Sequence, residues 1–352
     1  MRYKNVCLES IAYTLPEEIV TSEEIERRLE PLYTRLRLPE GRLELITGIR
    51  ERRFWPPGAT ITENSILSAE KAIALSGIEK KRFGAMLHGS VCRDFIEPAT
   101  ACGVHHALQL PRECAVYDLS NACLGLLNGA VQIANMIELG QIRAGVVVGT
   151  ESGRALVENT IEQLNANTSL SRNDIKLSVA SLTIGAGSAA IVLCHKDLSR
   201  TGNRLLGGVI RANTDGCTLC HSGRDESADP GMRPLMWTDS ETLMREGIAL
   251  GNEAFSLFLE EMNWNRCDIH KTFCHQVGKA HQKLLFDTLG LDQRIDFSTF
   301  EYLGNTGTVA LPTAAAIGME KGHVQPGENI AMMGIGSGIN VIILGVEWQK
   351  NA

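Results

Sequence analysis

Short apolar runs recur along the chain and alternate with longer segments of helical period. Runs such as Val146-Val147-Val148 and Ala189-Ala190-Ile191-Val192-Leu193 lack the alternation of a half-wet strand. They predict strands covered on both faces. Strands are expected over 6–13, 85–91, 114–119, 144–149, 189–194, 205–213, 271–275, 329–333 and 339–348. Helices are expected over 62–76, 124–139, 240–262, 278–289 and 311–322, several of them stopped by a glycine such as Gly77, Gly140 or Gly290. Thr21 or Ser22 should cap a helix whose first turn holds Glu23 and Glu24, and Pro98 opens another. Residues 154–180 leave the alternation and read as a cap or lid, while 215–240 reads as a polar loop. Strand and helix in turn predict an α/β fold.

The pattern also echoes itself. Gly185-Ala186-Gly187-Ser188 and Gly334-Ile335-Gly336-Ser337 each precede an apolar strand, a little under half the chain apart. Two fused halves are therefore expected, 1–195 and 196–352, sharing one core. The longest apolar stretch, 330–348, is broken by four glycines and rich in β-branched residues, so it predicts two buried strands joined at a glycine turn (334–338) and no membrane span.

Composition narrows the class. Apolar content of 44%, charged content of 21% and 352 residues suit a globular enzyme with ample core. A formal charge of −7 argues against general nucleic-acid binding. Ten cysteines, several inside apolar runs such as Val6-Cys7-Leu8, together with no apolar leader at the start, point to reduced thiols and a cytoplasmic location.

Candidate chemistry centres on Tyr117-Asp118-Leu119-Ser120-Asn121-Ala122-Cys123-Leu124-Gly125. A buried strand turns there into an apolar helix, placing Cys123 at the helix's amino end, where the dipole favours thiolate. A buried filler thiol is equally compatible with that position. His275 and Asn305, the latter in Gly304-Asn305-Thr306-Gly307, sit on strand-to-helix loops that converge in open α/β folds. Both residue types have ordinary structural uses there, so the residues by themselves leave the matter open. Thr47-Gly48-Ile49-Arg50-Glu51-Arg52-Arg53-Phe54-Trp55 is either a solvated turn or an anion site. The Cys217/Cys220 pair lacks a second pair at zinc distance, so no metal site is expected.

Taken together, 47–52, 118–125, His275-Gln276, 304–307 and the closing Gly334-Ile335-Gly336-Ser337-Gly338 resemble the thiolase superfamily, within it the ketoacyl synthase III branch, over about 4–348. The resemblance implies a thiolase-like, duplicated, five-layered α/β/α/β/α fold and a homodimer. It implies a Cys123–His275–Asn305 triad, with the backbone N–H groups of Cys123 and Ser337 as the oxyanion hole. Arg50, Arg52, Arg53 and Lys279 are candidate contacts for coenzyme A phosphates. The resemblance implies coenzyme A thioesters as substrates and no cofactor, with acyl carrier protein a candidate partner.

Glu97 departs from ordinary synthase III enzymes, which carry an apolar residue in the matching loop and form the enolate by losing CO₂. A carboxylate there suggests direct removal of an α-proton. Ser90-Val91-Cys92-Arg93-Asp94-Phe95-Ile96-Glu97-Pro98, His275-Gln276-Val277 and Ser337 resemble OleA-type enzymes, which join two fatty acyl-CoAs to a 2-alkyl-3-oxo acid. By that analogy Glu97 serves the neighbouring subunit. The first alternative is decarboxylating 3-oxoacyl-carrier-protein synthase III. Another class, an inactive partner subunit, would ordinarily lack the nucleophile.

Overall fold

In the computed structural model, residues 1–222 and 235–349 are described. Nine strands form the main sheet: β1 (Val6–Thr14), β2 (Phe83–Gly89), β3 (Ala115–Leu119), β4 (Ala144–Glu151), β5 (Gly187–His195), β6 (Arg204–Ala212), β7 (Lys271–Cys274), β8 (Asn329–Gly336) and β9 (Asn340–Glu347). Their order across the sheet is β7-β8-β9-β6-β1-β5-β4-β2-β3. A single pair, Cys7 with Arg204, joins β1 to β6. Outward from that junction the pairing senses repeat. One side runs antiparallel, antiparallel, parallel through β1, β5, β4 and β2, and the other does the same through β6, β9, β8 and β7.

All eight residues of β4 are buried, as the unbroken apolar pattern predicted. The cover on each face comes from helices, named here α1 (Ile61–Ser76), α2 (Thr100–Leu108), α3 (Gly125–Glu138), α4 (Arg154–Ala166), α5 (Ser240–Met262), α6 (Lys279–Leu289) and α7 (Ala310–Glu320). One apolar cluster packs α1 and α2 on the outer face of the β1–β5 strands. A second packs α5 and α6 on the outer face of β6–β9. Between them lies a third, where α3 and α7 meet Val147 and Ile191 from one side and Met332 and Leu344 from the other. Helix, strand, helix, strand, helix: the five expected layers are present. Helix α4 packs Val157, Ile161 and Leu164 against Val20, Ile25 and Leu32, so 154–180 is a cap fixed to the N-terminal helices.

Three local expectations change. Strand β3 is half-buried because, among the described residues, it pairs only with β2. Gly334 and Gly336 pair with Ile342 and Asn340 and belong to β8, not to a turn. The reversal is confined to Ser337-Gly338-Ile339, where Gly338 and Ile339 have φ of +78° and +50°. The predicted loop 215–240 contains a short hairpin, Cys220–Ser222 with Met236–Thr238, and its part 223–234 lies outside the described residues.

Candidate active site

Strand β3 ends at Leu119, and the chain turns through Ser120-Asn121-Ala122-Cys123 before α3 begins. Ala122 has φ of +44°. That left-handed conformation costs a residue with a Cβ on the order of 1–2 kcal/mol, so the turn is held by its surroundings. One such hold is a close approach of β2, since a Cβ on Gly89 would lie 2.5 Å from the Gly125 carbonyl carbon. A second is Thr308, whose hydroxyl accepts the Leu126 N–H at 2.7 Å and so satisfies a donor in the helix's first turn.

Cys123 is half-buried. Burial, and next the Glu151 carboxylate, push its pKa up to about 12, with Cys220 adding to the effect. The expectation of a favoured thiolate is therefore corrected. Cys123 precedes the first residue of α3 by two positions, and burial is the largest influence on its sulfur. Cys123 rests as a thiol.

The His275 backbone N–H donates to the Met333 carbonyl at 3.0 Å, fixing the residue at the end of β7. Its buried ring has a pKa lowered to about 3 by burial and then by His281, and is neutral at physiological pH. Its Nδ1 has no partner among the described residues. Beside it is a small apolar cavity walled by Gly247, Gly251, Leu285, Met333 and Gly334. Asn305 is held on both sides of its backbone, its N–H on Thr183 O at 3.0 Å and its carbonyl under Gly185 N at 2.9 Å. Its Oδ1 accepts the Gly307 N–H at 3.0 Å, which leaves the side-chain Nδ2 as the donor.

These segments meet around the start of α3. A Cβ on Gly336 would stand 3.5 Å from the Cys123 nitrogen, and one on Gly334 would stand 2.7 Å from Leu124 Cδ2. The glycines of β8 thus allow the strand beside His275 to press on the cysteine turn, with half-buried Ser337 following at the reversal. The loop of Asn305 reaches the same helix start through Thr308. Tertiary packing so gathers Cys123, His275, Asn305 and Ser337 at one end of the sheet.

Glu97 is different. Its loop is rooted at three points: Val91 and Cys92 N–H on Glu151 at 3.1 and 3.3 Å, Ile61 and Thr62 N–H on Asp94 at 2.7 and 2.8 Å, and Thr100 and Ala101 N–H on Asp118 at 2.8 and 2.9 Å. The tip stands away from the chain, with Phe95 and Ile96 exposed at 68% and 63% and Glu97 exposed beside them.

The arginine cluster divides. Arg52 is 0% exposed, its guanidinium donating to Ser22 Oγ and the Val20 and Leu182 carbonyls, so it is a structural residue and cannot meet a coenzyme A phosphate. Strand alternation explains this, because Glu51–Phe54 buries every second residue. Arg53 is half-buried and spends one terminal nitrogen on Pro16 O at 2.9 Å. Arg50 and Lys279 remain exposed, on segments pressed together where a Cβ on Gly48 would lie 2.8 Å from Lys279 Cβ.

Sequence reasoning missed Glu151. Its carboxylate is buried at the end of β4 and accepts N–H groups of Val91, Cys92 and Thr308. A carboxylate closing an otherwise uncharged strand was the available signal.

Comparison with known proteins gives the family. Over 351 residues, 99% of this chain and all of the relative, it is 41% identical to the acyl-CoA:acyl-CoA alkyltransferase of Shewanella oneidensis. The chain belongs to the acyl-CoA:acyl-CoA alkyltransferase family. The Xanthomonas campestris alkyltransferase is 30% identical over 348 residues, 99% of this chain and all of that relative. A crystal structure of Xanthomonas campestris OleA superposes with a TM-score of 0.92 at 30% identity, covering 99% of both chains. Another, of OleA with bound lauric acid and lauroyl-CoA, also gives 0.92 at 30% identity, covering 98% of this chain and 100% of that one. Residues 259–348 match the family 3-oxoacyl-[acyl-carrier-protein (ACP)] synthase III C terminal. The family is therefore one of thiolase-like condensing enzymes, and the fold of this chain follows it throughout.

Proposed function

We propose that this chain joins two fatty acyl-CoA molecules without loss of CO₂, releasing a 2-alkyl-3-oxo acid. The observation that carries the reading is Glu97, a carboxylate presented at a loop tip where a decarboxylating synthase needs no base. Cys123 attacks the first thioester, CoA leaves as its thiol with the cysteine's proton, and an acyl-cysteine remains. The N–H groups of Cys123 and Ser337 hold the tetrahedral oxyanion. Glu97 takes the α-proton of the second acyl-CoA, while His275 and Asn305 Nδ2 donate to its thioester oxygen as the enolate forms. The carbanion attacks the acyl-cysteine, the Cys123 thiolate departs and takes up the proton that Glu97 removed, and water cleaves the product's CoA thioester to give the acid. Written this way, the reaction needs no cofactor beyond coenzyme A thioesters. Arg50 and Lys279 suit the coenzyme A phosphates.

The same reading makes the enzyme a homodimer in which Glu97 serves the partner. Phe95, Ile96 and the unpaired edge of β3 support it, being an apolar tip beside a free strand edge. The repeated pairing senses support 1–195 and 196–352 as two copies of one unit. Among the described residues no helix is long and apolar enough to cross a membrane.

Incubation with two acyl-CoAs and no malonyl donor tests the proposal: condensed product is expected, and its absence with acylated Cys123 present would overturn it. The second reading, decarboxylating synthesis from acyl-CoA and malonyl-carrier protein, draws on the match over 259–348. It predicts product only when the malonyl donor is supplied.

A further inference from the structure

Glu151 joins segments that the reaction uses at different moments. Its Oε1 and Oε2 accept the Val91 and Cys92 N–H groups at 3.1 and 3.3 Å, the root of the loop that ends in Glu97. The same carboxylate accepts the Thr308 N–H, and a Cβ on Gly307 would lie 3.2 Å from its Cγ, so it also abuts the loop of Asn305. Thr308 in turn holds the Leu126 N–H beside Cys123. The main-chain carbonyl of Glu151 accepts the Trp55 indole N–H at 3.0 Å, which fixes the carboxylate's stem. The thiols that face it are those of Cys92 and Cys123. Nothing in the sequence of chemical steps requires a buried carboxylate at this place.

We propose that Glu151 is a positioning residue that locks the base-bearing loop to the Cys123 and Asn305 segments, so that the site of one chain and the Glu97 it lends to its partner are set by one side chain. The inference rests on the functional reading above. Three backbone N–H groups converging on one carboxylate form a fixed joint, because a buried anion is tolerated only with such donors in place. An amide in its place would turn an NH₂ toward one of those donors and release it. A carbon–carbon bond step is sensitive to such displacement, since misplacement by about 1 Å can cost on the order of a hundredfold.

The test separates half-reactions. Cys123 acylation is followed by intact mass and condensed product by chromatography, for the wild type, Glu151→Gln, Glu97→Gln and the double variant. Glu151→Gln is expected to slow condensation by roughly tenfold or more while changing acylation by less than about threefold. The double variant should condense no more slowly than Glu97→Gln alone, because a positioner adds nothing once the group it positions is gone. Glu151→Asp, which retains the charge, should show the same split at smaller size, and it carries the test if the amide variant does not fold. Condensation at the wild-type rate, equal loss in both half-reactions, or multiplied losses in the double variant would overturn the assignment. A wild type that acylates but forms no condensed product counts against the functional reading instead.

Discussion

The cysteine turn and the Glu97 loop lie at the same end of the sheet and are built in opposite ways. Around Cys123 the surrounding groups belong to one chain, with Ala122 held at φ +44° and glycines of β2 and β8 in close approach. The loop of 91–99 is as firmly rooted, by Asp94, Asp118 and Glu151, yet its tip offers Phe95, Ile96 and Glu97 to the outside. Rigid roots with an unsupported apolar tip suit a segment that is completed by another molecule. On the proposed reading, the half that would hold the acyl group is thus self-contained, while the half that would remove the proton is displayed.

The comparison is sharpest at the proposed nucleophile. Cys123→Ala should abolish both acyl-enzyme, read by intact mass, and product, a loss of roughly a thousandfold or more. Glu97→Gln should divide the halves, leaving acylation intact and lowering condensation by about 10²–10⁴. An equal loss in both steps would erase the contrast. Charging the tip by Phe95→Asp with Ile96→Asp should weaken self-association about tenfold or more by sedimentation, with condensation falling in parallel.

Acidity gives a fourth test. The rings of His88, His275 and His281 have pKa values lowered by burial to about 4, 3 and 4. In the unfolded chain they take protons near the ordinary histidine value of about 6.5, so below that pH the unfolded state binds more protons. Stability is expected to be flat above pH 7 as far as these groups decide it. It should fall progressively as pH drops from about 6.5 toward 4, read as the urea midpoint. The smallest effect on turnover concerns Arg50, and Arg52 is its contrast in stability. Arg50→Ala should raise the KM for acyl-CoA a few-fold, roughly as an exposed ion contact does, with no change in folding. Arg52→Ala should instead cost about 3 kcal/mol of stability, because Ser22 and two carbonyls lose a buried donor.

Those two arginines show where local reading stops. Ser240–Met262 is found at the limits its pattern predicted, and Gly77 and Gly290 end their helices in left-handed conformation, because caps and glycine stops act within a few residues. Arg50 and Arg52 look alike in sequence, but Arg52 faces the interior from the strand Glu51–Phe54, while Arg50 lies before that strand and stays exposed. Gly334 and Gly336 suggested a turn; their use is to let β8 touch Leu124 and Leu127, a contact across more than two hundred residues of chain.

The sequence by itself determined the layered α/β pattern and the family, and it singled out Cys123, His275, Asn305 and Glu97 as the residues to consider. Those properties reside in local periodicity and in short motifs whose spacing is read directly. Tertiary structure alone decided that Cys123 rests as a thiol, that Arg52 is unavailable, and that Glu151 ties two loops to one turn. Desolvation and charge act through space, over distances that separation along the chain does not encode.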